Sequence, residues 1–193
     1  MKNEGDKIIL KCDKNKSGQV WVETIVYTLI ALSLIGLFVT FAKPKIEEIQ
    51  DKSIVEQSTD ILEEVNGVII SMIQGGSGNQ RVIEMGIKKG IFKIDGTKNQ
   101  LSFEIEGKYT YTEPGDGGTP GPYIQVGNLL ASTQKRGKVS TVTLLSNYSN
   151  IYDIKYKESE ESKSITRAPV PYKLVISNQG ESGGIPIINF DLQ

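Results

Sequence analysis

The longest uncharged stretch of the chain is the feature that most limits its fold. Residues 24–42 (TIVYTLIALSLIGLFVTFA) contain no ionisable group other than Tyr27 over 19 consecutive positions. As an α-helix they extend roughly 30 Å, which matches the hydrocarbon core of a bilayer. A secretory signal peptide has a shorter apolar region of about 7 to 15 residues, followed by a small-residue cleavage site. This stretch ends instead in Lys43-Pro44-Lys45, so the sequence predicts one membrane-spanning helix.

The lysines on either side of this segment predict its orientation. Basic residues near a membrane helix are enriched on the cytoplasmic side. Five lysines precede the segment and three follow it closely: Lys2, Lys7, Lys11, Lys14 and Lys16, then Lys43, Lys45 and Lys52. We therefore expect a single-pass precursor with a cytoplasmic N-terminus and with the residues after about position 45 outside.

Composition argues against several classes of protein. The net charge is -1 and the chain has no histidine. Basic and acidic residues are interspersed, which is not the pattern of a nucleic-acid-binding protein. The single cysteine, Cys12, allows neither an intrachain disulfide nor a thiolate metal cluster. We find no phosphate-binding glycine loop, nucleophile elbow or metal-ligand cluster beside any carboxylate pair, so we expect no enzyme and no cofactor.

The residues before the apolar stretch carry a recognisable motif. Ser17-Gly18-Gln19-Val20-Trp21-Val22-Glu23 follows a short basic leader and leads directly into the apolar helix. This order resembles the class III signal peptide of archaeal type IV pilins. The resemblance implies a leader of residues 1–18, cut between Gly18 and Gln19 by a prepilin peptidase. It also places a glutamate, Glu23, fifth in the mature chain.

Glu23 has two interpretations. A carboxylate at the edge of an apolar helix is costly in hydrocarbon unless it finds a partner. The resemblance implies that this partner is the new N-terminal ammonium at Gln19 of a neighbouring subunit, which would set the register of assembly. Alternatively, Glu23 lies among the lipid headgroups and complements the helix dipole. Trp21 and Tyr27 are typical of interfacial aromatic residues.

The residues after the apolar stretch predict a second helical part. Apolar residues recur at steps of three and four over residues 46–73, which is typical of an amphipathic helix. We expect one helix over residues 19–73, membrane-spanning at about 24–42, with Pro44 removing one backbone donor and kinking the helix near the membrane exit. The glycines in residues 74–80 end it as a linker. The apolar positions are Ile46, Ile49, Ile54, Val55, Ile61, Leu62, Val65, Val68, Ile69 and Met72.

Residues 81–193 predict an outer β-rich domain. Short β-branched and aromatic runs alternate with Gly, Asn, Asp and Pro. We expect tight turns at Lys89-Gly90, Asp95-Gly96 and Glu106-Gly107, and loops at 113–122 and 158–163. The fold class is α+β, a long N-terminal helix followed by an antiparallel, sandwich-like β domain. The expected strands are 81–87, 91–94, 101–106, 108–112, 123–126, 139–145, 151–157, 172–176 and 185–192.

Few other residues suggest a site. Asn147-Tyr148-Ser149 fits the N-glycosylation sequon in the part expected outside the cell. Asn15-Lys16-Ser17 also fits, but the predicted topology keeps it cytoplasmic and unmodified. The acidic groups Glu113 with Asp116, and Glu158, Glu160 and Glu161, lack the spacing of a calcium loop and are interpreted as solvated.

These features favour a structural role. The resemblance implies a subunit of an archaeal cell-surface filament, partnered by identical subunits, a prepilin peptidase, a pilus assembly platform and, before assembly, membrane lipid. The alternative is a membrane-anchored minor pilin or a surface adhesion or binding protein that does not itself form the filament. A membrane-tethered hydrolase is the third hypothesis.

Overall fold

The computed structural model describes residues 16–193, with side chains from Val20 onward. Most of the predicted leader, including Cys12 and Asn15, lies outside the described residues. The chain divides into two compact units, Met1–Lys43 and Pro44–Gln193. The second is called the C-terminal unit.

Three consecutive helical segments begin the described chain. They are α1 (Lys16–Leu37), a π-helical turn (Phe38–Ala42) and α2 (Lys43–Gln74). At the turn, the N–H of Lys43 donates to the carbonyl of Phe38, five residues earlier. Pro44 has no N–H to donate to the carbonyl four residues before it. The π-helical turn therefore lies where proline removes an α-helical donor.

The buried face of α2 follows a repeat of three and four residues. This spacing places the side chains on one stripe of the helix, and most of them join the core of the C-terminal unit. Ile46 and Ile49, expected on the same apolar face, remain exposed. The buried residues are Asp51, Val55, Ser58, Leu62, Val65, Ile69 and Met72.

Ten strands form two sheets after the helix. One sheet has the order β1-β9-β10-β7, and the other β4-β5-β6-β3-β2-β8. The α+β fold class is confirmed, because the long helical region is followed by mainly antiparallel sheets. The strands are β1 (Gln80–Met85), β2 (Ile91–Asp95), β3 (Gln100–Gly107), β4 (Ile124–Val126), β5 (Leu129–Arg136), β6 (Val139–Asn147), β7 (Asp153–Tyr156), β8 (Ser162–Thr166), β9 (Tyr172–Ser182) and β10 (Ile185–Leu192).

One strand pair departs from the antiparallel pattern. β7 pairs with β10 in parallel, with Ile188 opposite Ile154. Parallel neighbours need a long connection, and β8 and β9 lie between these two strands in the chain. The sheet therefore ends in a parallel edge that strand periodicity does not predict.

Side chains from α2 and from both sheets form one hydrophobic core. Leu62 of α2, Phe103 of β3 and Phe190 of β10 are each fully buried in it. The rings of Phe92 and Phe103 lie 5.1 Å apart between centroids, within the range of favourable aromatic pairs. The C-terminal unit thus has its own core.

One predicted strand, residues 108–112, is wrong. The backbone N–H of Lys108 donates to Asp51 Oδ2 at 2.6 Å, and that of Thr112 to Thr133 Oγ1 at 2.9 Å. Side chains thus take the place of strand partners. The alternation arises because Tyr109 and Tyr111 pack against the core from an irregular segment.

Two strands were not predicted. β5 lies between β4 and β6 and buries Ala131 and Thr133, although neither is a large apolar residue. β8 begins at Ser162, inside the expected loop at 158–163, because its backbone pairs with β2.

The predicted turns had different outcomes. Asp95-Gly96 lies in the hairpin between β2 and β3, as predicted. Lys89-Gly90 instead leads from β1 to β2, which belong to different sheets. Glu106-Gly107 ends β3, with Gly107 opposite Ser140.

Candidate functional site: an exposed apolar helix

The largest exposed apolar surface in the described chain belongs to α1 and the π-helical turn. Every side chain from residue 20 to residue 41 is exposed. The large apolar ones keep between 43% and 73% of their surface exposed. Soluble monomers rarely expose patches of this size, which mark membrane or protein contacts. They are Val20, Trp21, Val22, Ile25, Val26, Tyr27, Leu29, Ile30, Leu32, Leu34, Ile35, Leu37, Phe38, Val39 and Phe41.

The hydroxyl groups in this segment are satisfied internally. Thr24, Thr28, Ser33 and Thr40 each donate to the backbone carbonyl four residues earlier, at 2.8 to 2.9 Å. Such bonds let serine and threonine lie in an apolar environment without an unpaired donor. Among the described residues, the helix Val20–Gln74 is the one long and apolar enough to cross a membrane.

Glu23 lies on this apolar surface. Its Oε1 accepts a hydrogen bond from the Tyr27 hydroxyl at 3.2 Å, and no ion pair to it is found within the part of the chain that the structure describes. The carboxylate is therefore available to a cation from another molecule. Gly18 and Gln19, the predicted cleavage junction, lie one turn earlier in α1.

Asn147 ends β6 at the surface of the C-terminal unit. Its Oδ1 accepts from the backbone N–H of Ser149 at 3.1 Å and lies 2.8 Å from the Ser149 hydroxyl. For residues 16–193, no hydrogen bond from Asn147 Nδ2 is found. Tyr148 between them is buried, and that burial raises the pKa of its hydroxyl to about 12. The sequon is therefore anchored by the buried Tyr148, while Asn147 itself is exposed.

An ionic cluster around the buried Asp51, near the start of α2, was not predicted. Asp51 is 6% exposed. Its Oδ1 accepts from Lys89 Nζ at 2.5 Å, and its Oδ2 accepts from the backbone N–H of Lys108. Lys108 Nζ also pairs with Glu47. The sequence feature that indicates this cluster is the position of Asp51, four residues before Val55 on the buried stripe of α2.

An open cavity of about 480 Å³ borders this cluster. Lys89 and Lys108 are paired with carboxylates there, so their charges mainly hold the β1–β2 loop and the end of β3 against α2. A side chain at position 107 would force the Asp51 carboxylate to shift, because a Cβ on Gly107 would collide with it. The lining residues are Glu47, Gln50, Asp51, Ile54, Lys89, Glu106, Gly107, Lys108, Lys138 and Val139.

A second buried carboxylate, Asp95, fixes the β2–β3 hairpin. Burial alone would raise its pKa, but hydrogen bonds from Thr97, Lys93 and Ser162 outweigh that effect and lower the pKa to about 2. Thr97 Oγ1 donates at 2.6 Å. Within residues that the structure describes, no group of three or more acidic or cysteine side chains is placed to hold a metal ion.

Comparison with known proteins adds no relative. The chain matches no protein-family model, no curated protein and no solved structure. The pilin-like interpretation of Gly18, Gln19 and Glu23 therefore stays a prediction from the sequence motif.

Proposed function

We propose that this chain is a structural subunit of an archaeal type IV pilus-like cell-surface filament, assembled through α1 after leader removal between Gly18 and Gln19. The observation that carries the proposal is the exposed apolar surface of residues 20–41. Lipid around a single membrane-spanning helix would cover that surface, and so would neighbouring helices in a bundle of identical subunits. The C-terminal unit has its own core and does not need this surface to fold.

Hydrophobic burial would supply the energy of assembly. Fully burying a Leu, Ile, Val or Phe side chain is worth about 1.5 to 3 kcal/mol relative to water. The lipid-embedded precursor has already gained most of this, so specificity has to come from packing and polar contacts. The internally bonded hydroxyls of Thr24, Thr28, Ser33 and Thr40 leave no unpaired donor to oppose helix packing.

Glu23 would set the register of subunits. Cleavage before Gln19 creates an ammonium about 6 Å along the helix from Glu23, at 1.5 Å per residue. In a low-dielectric helix bundle, an unpaired carboxylate is strongly unfavourable. The ammonium of a neighbouring subunit, staggered along the bundle, neutralises it.

The precursor would lie in the membrane with its C-terminal unit outside. Asn147 would then be accessible to glycosylation, consistent with its exposure. The alternative of an anchored minor pilin or surface adhesion or binding protein shares this topology and differs only in forming no filament.

Filament formation by the processed full chain tests the proposal. The chain is co-expressed with an archaeal prepilin peptidase, and filaments are measured by pelleting and electron microscopy. We expect Glu23→Gln to reduce filaments at least about ten-fold, because the ammonium loses its charged partner.

Glu64→Gln is the matched control, since Glu64 is an exposed glutamate of α2. It should assemble normally. Processed wild-type chain that stays unassembled would favour the anchored alternative.

A further inference from the structure

The hairpin between β5 and β6 presents an exposed basic surface. Lys135, Arg136 and Lys138, here called the basic hairpin, are all exposed. Within residues 16–193, none of the three forms an ion pair. Three unpaired cations on one turn attract an anionic partner, and they do so over the range of the Debye length, about 10 Å at 0.1 M salt.

A complementary acidic surface precedes β8. Glu158, Glu160 and Glu161, here called the acidic segment, are exposed and also lack ion pairs in the described structure. Neighbouring lysines are otherwise engaged: Lys157 Nζ lies 3.5 Å from Asp191, and Lys163 lies over the Tyr156 ring. The three carboxylates therefore remain available.

These two surfaces lie at opposite ends of the six-stranded sheet. Arg136 pairs with Val139 where β6 begins, whereas β6 ends at Asn147 opposite Gln100. Gln100 pairs with Asp95, and Asp95 with Ser162, which directly follows the acidic segment. The nine residues of β6 extend about 26 Å, so the two surfaces cannot neutralise each other within one chain.

We propose that the basic hairpin of one subunit contacts the acidic segment of a second copy of this chain. The inference rests on the proposed filament function and adds a polar contact between the C-terminal units. A contact between two different surfaces of identical subunits can repeat from one copy to the next, and it generates an open helical filament when the rotation between copies does not close a ring. The matching acidic segment favours a second copy over an anionic membrane surface as the partner of the basic hairpin.

Exposed charge pairs of this kind act mainly on association rate and register. Individually they contribute little affinity, but complementary charges steer encounter and suppress wrong alignments. The contact should therefore weaken with salt, whereas α1 packing should not.

A charge-swap experiment in the full processed chain tests this contact. In filament pelleting at 50 mM salt, we expect Arg136→Glu with Lys138→Glu, or Glu158→Lys with Glu160→Lys, to lower the assembly rate by on the order of ten-fold. Combining all four substitutions should restore it to within about two-fold, because the charges are again complementary. Arg81→Glu with Arg167→Glu, at two other exposed positions, is the control with the same charge change, and it should assemble normally.

Cysteine crosslinking locates the contact independently of filament yield. A chain with Cys12→Ser, Lys135→Cys and Glu161→Cys, which has no native thiol, should give a ladder of disulfide-linked oligomers on oxidation, in filaments and in detergent at high protein concentration. If filaments form, two results would overturn the inference. One is a normal assembly rate in both charge-reversed double variants, and the other is a variant with all four substitutions that assembles as slowly as the double variants. If Arg136→Glu with Lys138→Glu assembles normally but no longer attaches to anionic vesicles, the basic hairpin binds lipid instead. That result would also overturn the inference. Absence of wild-type filaments would contradict the proposed function, and the detergent ladder would then decide the contact alone.

Discussion

α1 and α2 are successive helices of one chain with opposite relations to their surroundings. α1 exposes apolar side chains at about two thirds of its described positions, whereas α2 buries one stripe and leaves charged residues outside. α2 is held by a core to which both sheets contribute. The difference implies two separate roles: α2 serves the stability of the C-terminal unit, and α1 presents the apolar surface that we propose serves association with lipid or other subunits.

Truncating one leucine in each helix gives the largest effect expected from this difference. Leu62→Ala should lower the free energy of unfolding of the C-terminal unit by about 2 to 5 kcal/mol, because it leaves a cavity in a closed core. Leu32→Ala, on the exposed surface of α1, should leave that free energy unchanged within about 0.5 kcal/mol. The measurement is chemical denaturation of the full chain in detergent, followed by near-ultraviolet circular dichroism. Equal losses in both variants would break the distinction.

Two glycines of the C-terminal unit compare a closely packed position with an open one. A Cβ at Gly107 collides with the Asp51 carboxylate, whereas Gly67 in α2 has open space around it. Gly107→Ala should cost on the order of 2 kcal/mol, because Asp51 must give up its hydrogen bond from Lys108. Gly67→Ala should instead stabilise by about 0.5 to 1 kcal/mol through helix propensity. Denaturation midpoints measure both, and a harmless Gly107→Ala would contradict the close packing of α2 against β3.

The acid sensitivity of the C-terminal unit is a smaller effect that should not involve α1. Asp95 has a pKa of about 2 in the folded chain against a usual value of 3.8. Its ionised form therefore stabilises the fold above about pH 4, and this contribution of about 2 kcal/mol is lost as pH falls toward 2. Unfolding free energies from pH 5 to pH 2 should fall less steeply in Asp95→Asn than in wild type. Identical slopes would rule out this role.

Much of the architecture follows from local patterns, and the exceptions have long-range causes. The uncharged stretch identifies α1, and the repeat of apolar residues identifies α2. β5 is difficult to recognise from its own sequence, because small or polar residues such as Ala131 and Thr133 are buried beside β6. The tyrosines of residues 108–112 alternate like a strand, but Asp51 and Thr133 take up backbone donors of that segment.

The candidate functional residues also fall into those that a local motif identifies and those that depend on long-range contacts. Gly18, Gln19, Glu23 and Asn147 are recognised by short motifs, and the structure adds their surroundings without testing their roles. The Asp51 cluster joins α2 to a backbone donor 57 positions later in the chain. No local pattern pairs these groups, although a carboxylate on an apolar stripe indicates that some partner must exist.

The mature N-terminus is the most direct test of α1 as an assembly helix. The full chain is co-expressed with an active archaeal prepilin peptidase and analysed by intact mass and N-terminal peptide mapping. We predict a chain that begins at Gln19, which places the new ammonium beside the apolar surface and close to Glu23. Retention of Met1 to Gly18 by a chain exposed to active peptidase would contradict the account, because the leader lysines would remain at the end of the helix.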